Sequence, residues 1–169
     1  SYIYGANGSG KTNFLSALTK MQKMIIMSTV LGANNNKLLE VPAIKKELAS
    51  PIETFKFDVD CKSRETFFEI QVLLEGILYS YSFAVQDGKI QRELLTKKNK
   101  RTEILIKRTS PKYEDILLRS GLASFKGMVT VVRDDALCLA MAAMLNNPLA
   151  NKILNEIMNY RVINMASVG

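Results

Sequence analysis

The sequence predicts an α/β fold: a strand, a glycine loop and a helix at the N-terminal end, an antiparallel β-meander in the middle, and helices towards the C-terminal end. Three observations carry that reading. The octet Gly5-Ala6-Asn7-Gly8-Ser9-Gly10-Lys11-Thr12 follows the run Tyr2-Ile3-Tyr4 and precedes apolar residues at helical spacing. Between Glu53 and Arg108 several runs alternate apolar and polar residues, the period of a strand, with turn signals between them. Beyond Asp134 the spacing becomes helical again.

Taken in order, Tyr2-Ile3-Tyr4 reads as the end of a strand, expected to lie inside a parallel sheet with neighbours on both sides. The octet then fits the pattern G-x-x-x-x-G-K-[ST] at every fixed position, a match that chance gives to roughly one chain in a hundred of this length. Gly5, Gly8 and Gly10 lack a Cβ, so the backbone can curl and point successive N–H groups inward at an anion. Lys11 brings an ammonium to the outer phosphates, and the Thr12 hydroxyl is placed to hold Mg²⁺. The ligand this chemistry describes is a nucleoside triphosphate, ATP or GTP. Phe14, Leu15, Leu18, Met21 and Ile25 then mark a helix to about Met27, whose N-terminal N–H groups add to the anion site. Met21, Met24 and Met27 read as packing residues of that helix.

Gly32 to Lys37 is a loop, and Pro42 and Pro51 bracket a connector with a short helix over Ala43 to Ala49. Phe55, Phe57 and Val59 begin the alternation, and Phe68, Ile70, Val72 and Leu74 continue it. Glu75-Gly76 turns the chain into Leu78 to Val85. Asp87-Gly88 is a hairpin signal leading into Ile90 to Thr96, and Lys97 to Arg101 is a charged turn before Glu103 to Arg108. Asp134 and Asp135 are expected to cap a helix to about Leu145, and Pro148 to open another to about Tyr160.

Composition narrows the function classes. A chain of 169 residues with 47% hydrophobic content can bury one core. No apolar stretch approaches the roughly 20 residues of a membrane span, and no signal peptide is evident, so a cytoplasmic protein without membrane association is expected. Cys61 and Cys138 have no metal-binding spacing and read as buried free thiols. The absence of histidine removes Ser-His-Asp and Cys-His nucleophile systems and the common zinc sites. The net charge of +7 fits either attraction to polyanions or the local balance of one piece of a larger protein, and the second is preferred.

Other constellations compete for a role. Met128-Val129-Thr130-Val131-Val132 before Arg133-Asp134-Asp135 has the look of a Walker B strand, but Arg133 stands where the first acid belongs, and helix capping by the two aspartates is the simpler account. Lys97, Lys98, Lys100, Arg101, Lys107, Arg108 and Lys112 form a basic cluster that reads as a solvated turn protecting the sheet edge, with a grip on nucleic-acid phosphates as the alternative. Tyr79, Tyr81 and Phe83 share one strand face and read as core rather than as a base-stacking platform.

Tyr4 to Leu18, together with Phe68-Glu69-Ile70, Tyr79-Ser80-Tyr81-Ser82-Phe83 and Gly88-Lys89-Ile90, resembles the N-terminal part of an ABC-like, AAA-annotated bacterial ATPase of the abortive-infection, anti-phage type. More distantly it is similar to overcoming-lysogenization-defect proteins and to the heads of structural-maintenance-of-chromosomes proteins. The resemblance implies a P-loop NTPase head with an antiparallel β-meander subdomain and C-terminal helices. It also implies a head-to-tail homodimer that sandwiches ATP and Mg²⁺, hydrolysis of ATP in the complete protein, and control of an effector such as a nuclease. The alternative is a nucleotide-dependent DNA-binding or repair head.

On this reading residues 1–169 are a partial ATP-binding domain: the P-loop strand, loop and helix over 1–31, the β subdomain over 53–118, and a helical segment over 134–163. The site residues carried over are Gly5, Ala6, Asn7, Gly8, Ser9, Gly10, Lys11, Thr12 and Asn13, with Lys11 in the catalytic role and Thr12 on the metal. The family's signature motif, Walker B acids and switch histidine are expected downstream, so this chain alone is expected to bind nucleotide without turning it over. Gln71, Gln86 and Gln91 are all open candidates for the glutamine that contacts Mg²⁺ or water.

Overall fold

The structure, a computed structural model, describes residues 2–5, 14–32 and 64–159. Strand β1 (Tyr2–Gly5) leads to helix α1 (Phe14–Gly32), followed by β2 (Thr66–Leu74), β3 (Ile77–Gln86), β4 (Lys89–Lys98) and β5 (Thr102–Arg108). A short 3-10 turn (Tyr113–Asp115) precedes β6 (Ile116–Leu118), and a longer 3-10 run (Ser120–Val131) leads to α2 (Cys138–Met144) and α3 (Pro148–Met158).

The strands form one six-stranded sheet in chain order, with every neighbouring pair antiparallel. Local chemistry explains the turns. Glu75-Gly76 has φ of 52° and 79° and Asp87-Gly88 has 53° and 74°, so both central residues of each two-residue loop are left-handed, as a type I′ hairpin needs. The expected parallel setting of β1 is corrected: its described neighbour is the antiparallel β2, with Tyr2 opposite Gln71 and Gly5 opposite Phe68. Those N–H and C=O groups of this four-residue strand that point towards β2 find partners there.

The period-two pattern puts Phe68, Ile70, Val72, Tyr79, Tyr81, Phe83, Leu95 and Ile106 on one buried face. Met21, Met24 and Ile25 of α1, Leu139 of α2, and Ile153 and Ile157 of α3 complete the same core. Each such side chain contributes about 1.5–3 kcal/mol when fully buried. The Phe68 and Phe83 rings lie 5.1 Å apart and the Tyr81 and Phe83 rings 5.7 Å, so these aromatics fill the core and offer no platform for bases. On the other face Leu73, Leu94 and Leu117 are exposed.

Towards the C-terminal end the structure departs from the sequence reading. Met128 to Val131 close a 3-10 run rather than forming a strand, which agrees with setting the Walker B reading aside. Asp134 and Asp135, however, cap no helix. They lie in a turn, with Asp134 3.7 Å from Lys89 and Asp135 3.0 Å from Arg133, and α2 starts only at Cys138. Pro148 does open α3, where the side chain of the N-cap residue Asn147 accepts from the Ala150 N–H at 2.9 Å. Among the described residues no helix is long and apolar enough to cross a membrane. The expected strand at Phe55 to Val59, the short helix over Ala43 to Ala49, and Cys61 lie outside the described residues.

Candidate functional site

Gly5, the first residue of the octet, ends β1, and α1 begins at Phe14, two positions beyond Thr12. Ala6, Asn7, Gly8, Ser9, Gly10, Lys11, Thr12 and Asn13 lie outside the described residues, so the octet is bracketed by a strand and a helix of 19 residues. That helix has no acidic residue in its first turn, so no carboxylate there competes with an anion for its unpaired N–H groups. Beyond its first two turns the helix is well anchored. Met21 and Met24 are fully buried, Gln22 donates to the Ile157 carbonyl at 3.0 Å, and the buried Ser28 hydroxyl accepts from the Leu137 N–H at 2.9 Å.

The register fixes which end of the sheet the octet leaves. Gly5 is level with Phe68, Phe83, Glu93 and Arg108, and the strands beyond that row run to the β3–β4 turn and the start of β4. Gln86 and Gln91 are at this end and Gln71, opposite Tyr2, is set back from it. The Gln71 amide donates to the Ser80 hydroxyl and the Gln91 amide to the Gln86 carbonyl. The segment Val132 to Leu137 is docked here as well, since the Ile90 N–H donates to the Asp134 carbonyl at 2.8 Å.

A buried ion pair holds that end together. Glu93 and Arg108 face each other across β4 and β5 with no side-chain exposure, at 3.3 Å. The Arg108 guanidinium also donates to the carbonyls of Ser110, Pro111, Arg133 and Ala136, so it has a partner at each of its nitrogens. The Glu93 carboxylate accepts from the Tyr81 hydroxyl at 2.7 Å and from the Cys138 and Leu139 N–H groups at 2.8 and 2.9 Å. Glu93 is therefore the cap of α2, supplied from a strand 45 residues away, and it does the work expected of the aspartates. Burial, and then the Glu93 carboxylate, push the Tyr81 hydroxyl well above its ordinary range, and burial does the same to the Cys138 thiol.

These contacts also correct the basic cluster. Arg108 belongs to the core, not to the surface group. Lys97 is neutralised by Glu103 at 3.4 Å. Lys98, Lys100, Arg101, Lys107 and Lys112 are exposed, as is Arg119, which the sequence reading had not included. A cue for Glu93 was present: it shares a strand face with Leu95, and a carboxylate facing inward requires a partner.

The class is that of AAA-type, nucleotide-binding, ATPase-like domains, which generally bind ATP with Mg²⁺. Over residues 2–126 the sequence matches the family described as "AAA domain, putative AbiEii toxin, Type IV TA system", and the chain belongs to that family. No curated protein and no solved structure matches it.

Proposed function

We propose that the chain is the nucleotide-binding part of an ABC-like ATPase in which the octet Gly5 to Thr12 holds Mg·ATP. The observation that carries this reading is the octet itself, complete at every fixed position and set between a strand that ends on Gly5 and a helix that begins at Phe14. The donor set suits the ligand. Glycine backbone N–H groups, one lysine and one threonine hydroxyl meet a triphosphate, and the helix that follows brings no acid to oppose it. Mg²⁺, which the Thr12 hydroxyl would hold, would supply positive charge to offset the charge that develops on the phosphates.

The residues of the chain then divide the work. Backbone N–H groups from Asn7 to Thr12 orient the phosphates, Lys11 neutralises the outer ones, and the Thr12 hydroxyl holds the metal. In the complete protein ATP is the trigger for head-to-tail dimerisation and for control of an effector in phage defence. Sedimentation velocity with Mg·ATP and with Mg·ADP tests this part. ATP-dependent dimers that Lys11→Ala abolishes are expected, whereas the same sedimentation with both nucleotides would contradict it. A phosphate-release assay on the 169-residue chain is expected to read no turnover. Turnover would return attention to Asp134 and Asp135, which stand at the end of the sheet where the octet leaves β1.

A further inference from the structure

The β4–β5 hairpin tip is at the opposite end of the sheet from the octet. Within six residues it presents Lys97, Lys98, Lys100 and Arg101, with Arg119 close by, since the Arg119 N–H donates to the Leu105 carbonyl of β5 at 3.0 Å. One acid, Glu103, stands among them. It accepts from the Ser120 hydroxyl at 2.6 Å and is engaged by Lys97 at 3.4 Å, and these contacts, with the nearby charge of Arg101, hold its carboxyl below the usual carboxylate range. Lys98, Lys100, Arg101 and Arg119 are exposed, and among the described residues no acid lies within ion-pair distance of them, although Arg101 is near enough to act on Glu103.

Edge protection does not account for this charge. Lys97 and Lys98 lie on β4, which is paired on both sides as far as Lys98, and the part of β5 that β6 leaves uncovered, Thr102 to Leu105, carries no cation. Nor does the surface suit a protein partner. Lys97-Lys98-Asn99-Lys100-Arg101-Thr102 contains no apolar residue, whereas a protein interface needs an apolar or aromatic centre shielded from water. Exposed cations interleaved with Asn99, Thr102 and Ser120 supply what a phosphate backbone takes: charge for counterion release and neutral donors for positioning.

We propose that the β4–β5 hairpin tip, with Arg119, is a sequence-independent binding surface for the phosphate backbone of a nucleic-acid duplex. It is separate from the nucleotide site and does not depend on it. The test is fluorescence anisotropy of a labelled 30-base-pair duplex with the whole chain, titrated from about 50 to 200 mM salt. Three proteins are compared: wild type, Lys98→Gln/Lys100→Gln/Arg101→Gln, and a control, Lys89→Gln/Lys112→Gln/Lys152→Gln, which removes the same charge elsewhere. The substituted side chains are all exposed, and thermal melts check that each variant folds.

Wild type is expected to bind at low salt with affinity falling steeply as salt rises. The tip variant should lose at least about tenfold in affinity, and its salt slope should flatten by about 0.9 for each phosphate contact removed. The control should change about twofold or less. No binding by wild type, or equal losses in the tip variant and the control, would overturn the proposal. So would poly-glutamate competing as well as unlabelled duplex at equal charge, because it would make the surface one for acidic polypeptides.

Discussion

At the residue scale the Glu93–Arg108 pair governs the described structure. Two full charges removed from water are tolerated because every neighbour is a hydrogen-bond partner: four carbonyls on the guanidinium, two backbone N–H groups and a phenol on the carboxylate. Removing one member leaves the other charge buried and unmatched. Arg108→Ala is expected to destabilise the fold by about 3–5 kcal/mol, read as a lower urea midpoint. The burial of Tyr81 and Cys138 gives a pH dependence. Both native values are raised, so the stabilisation is complete below the ordinary thiol and phenol values of 9.0 and 10.0 and is lost as pH rises through that range towards the native values. The urea midpoint should fall above about pH 9, and less steeply in Tyr81→Phe than in wild type. An equal fall in both proteins would show that the phenol has no part in it.

At the element scale, what the sequence revealed depended on how far apart the interacting residues are. The meander was legible because period two and the Glu75-Gly76 and Asp87-Gly88 turns are local signals, and the register followed them. α3 was legible for the same reason, with Asn147 and Pro148 adjacent at its start. The start of α2 was not. Its cap is the carboxylate of Glu93, and a rule that looks for Asp or Ser just before the helix finds Asp134 and Asp135 instead. The same blindness put Arg108 among surface cations, since nothing in Lys107-Arg108 says which side chain faces in until the strand pairing is known. Asn147→Ala is expected to cost about 0.5–2 kcal/mol as a lost cap, lowering the melting temperature. Gly121→Val should also lower the melting temperature, because a Cβ at Gly121 would lie 2.6 Å from a methyl carbon of the half-buried Leu149, whose side chain would have to turn away.

At the scale of the whole molecule the sheet has two ends with different chemistry. At one, β1 runs into the octet beside the β3–β4 turn and the clamped segment Val132 to Leu137. At the other, exposed cations of the β4–β5 hairpin face solvent. The nucleotide site was legible from the octet alone, since a phosphate-binding loop writes its chemistry in consecutive residues. The basic surface was only half legible, because its membership depends on Arg108 turning inward and Arg119 being carried alongside β5.

The central claim is that the octet holds nucleotide, and calorimetric titration of Mg·ATP into wild type and Lys11→Ala tests it most directly. Saturable binding at one site, lost or weakened at least about tenfold in Lys11→Ala while the melting temperature without nucleotide is unchanged, is the expected result. Equal binding by both proteins would place the nucleotide elsewhere, and no heat from a folded wild type would contradict the assignment.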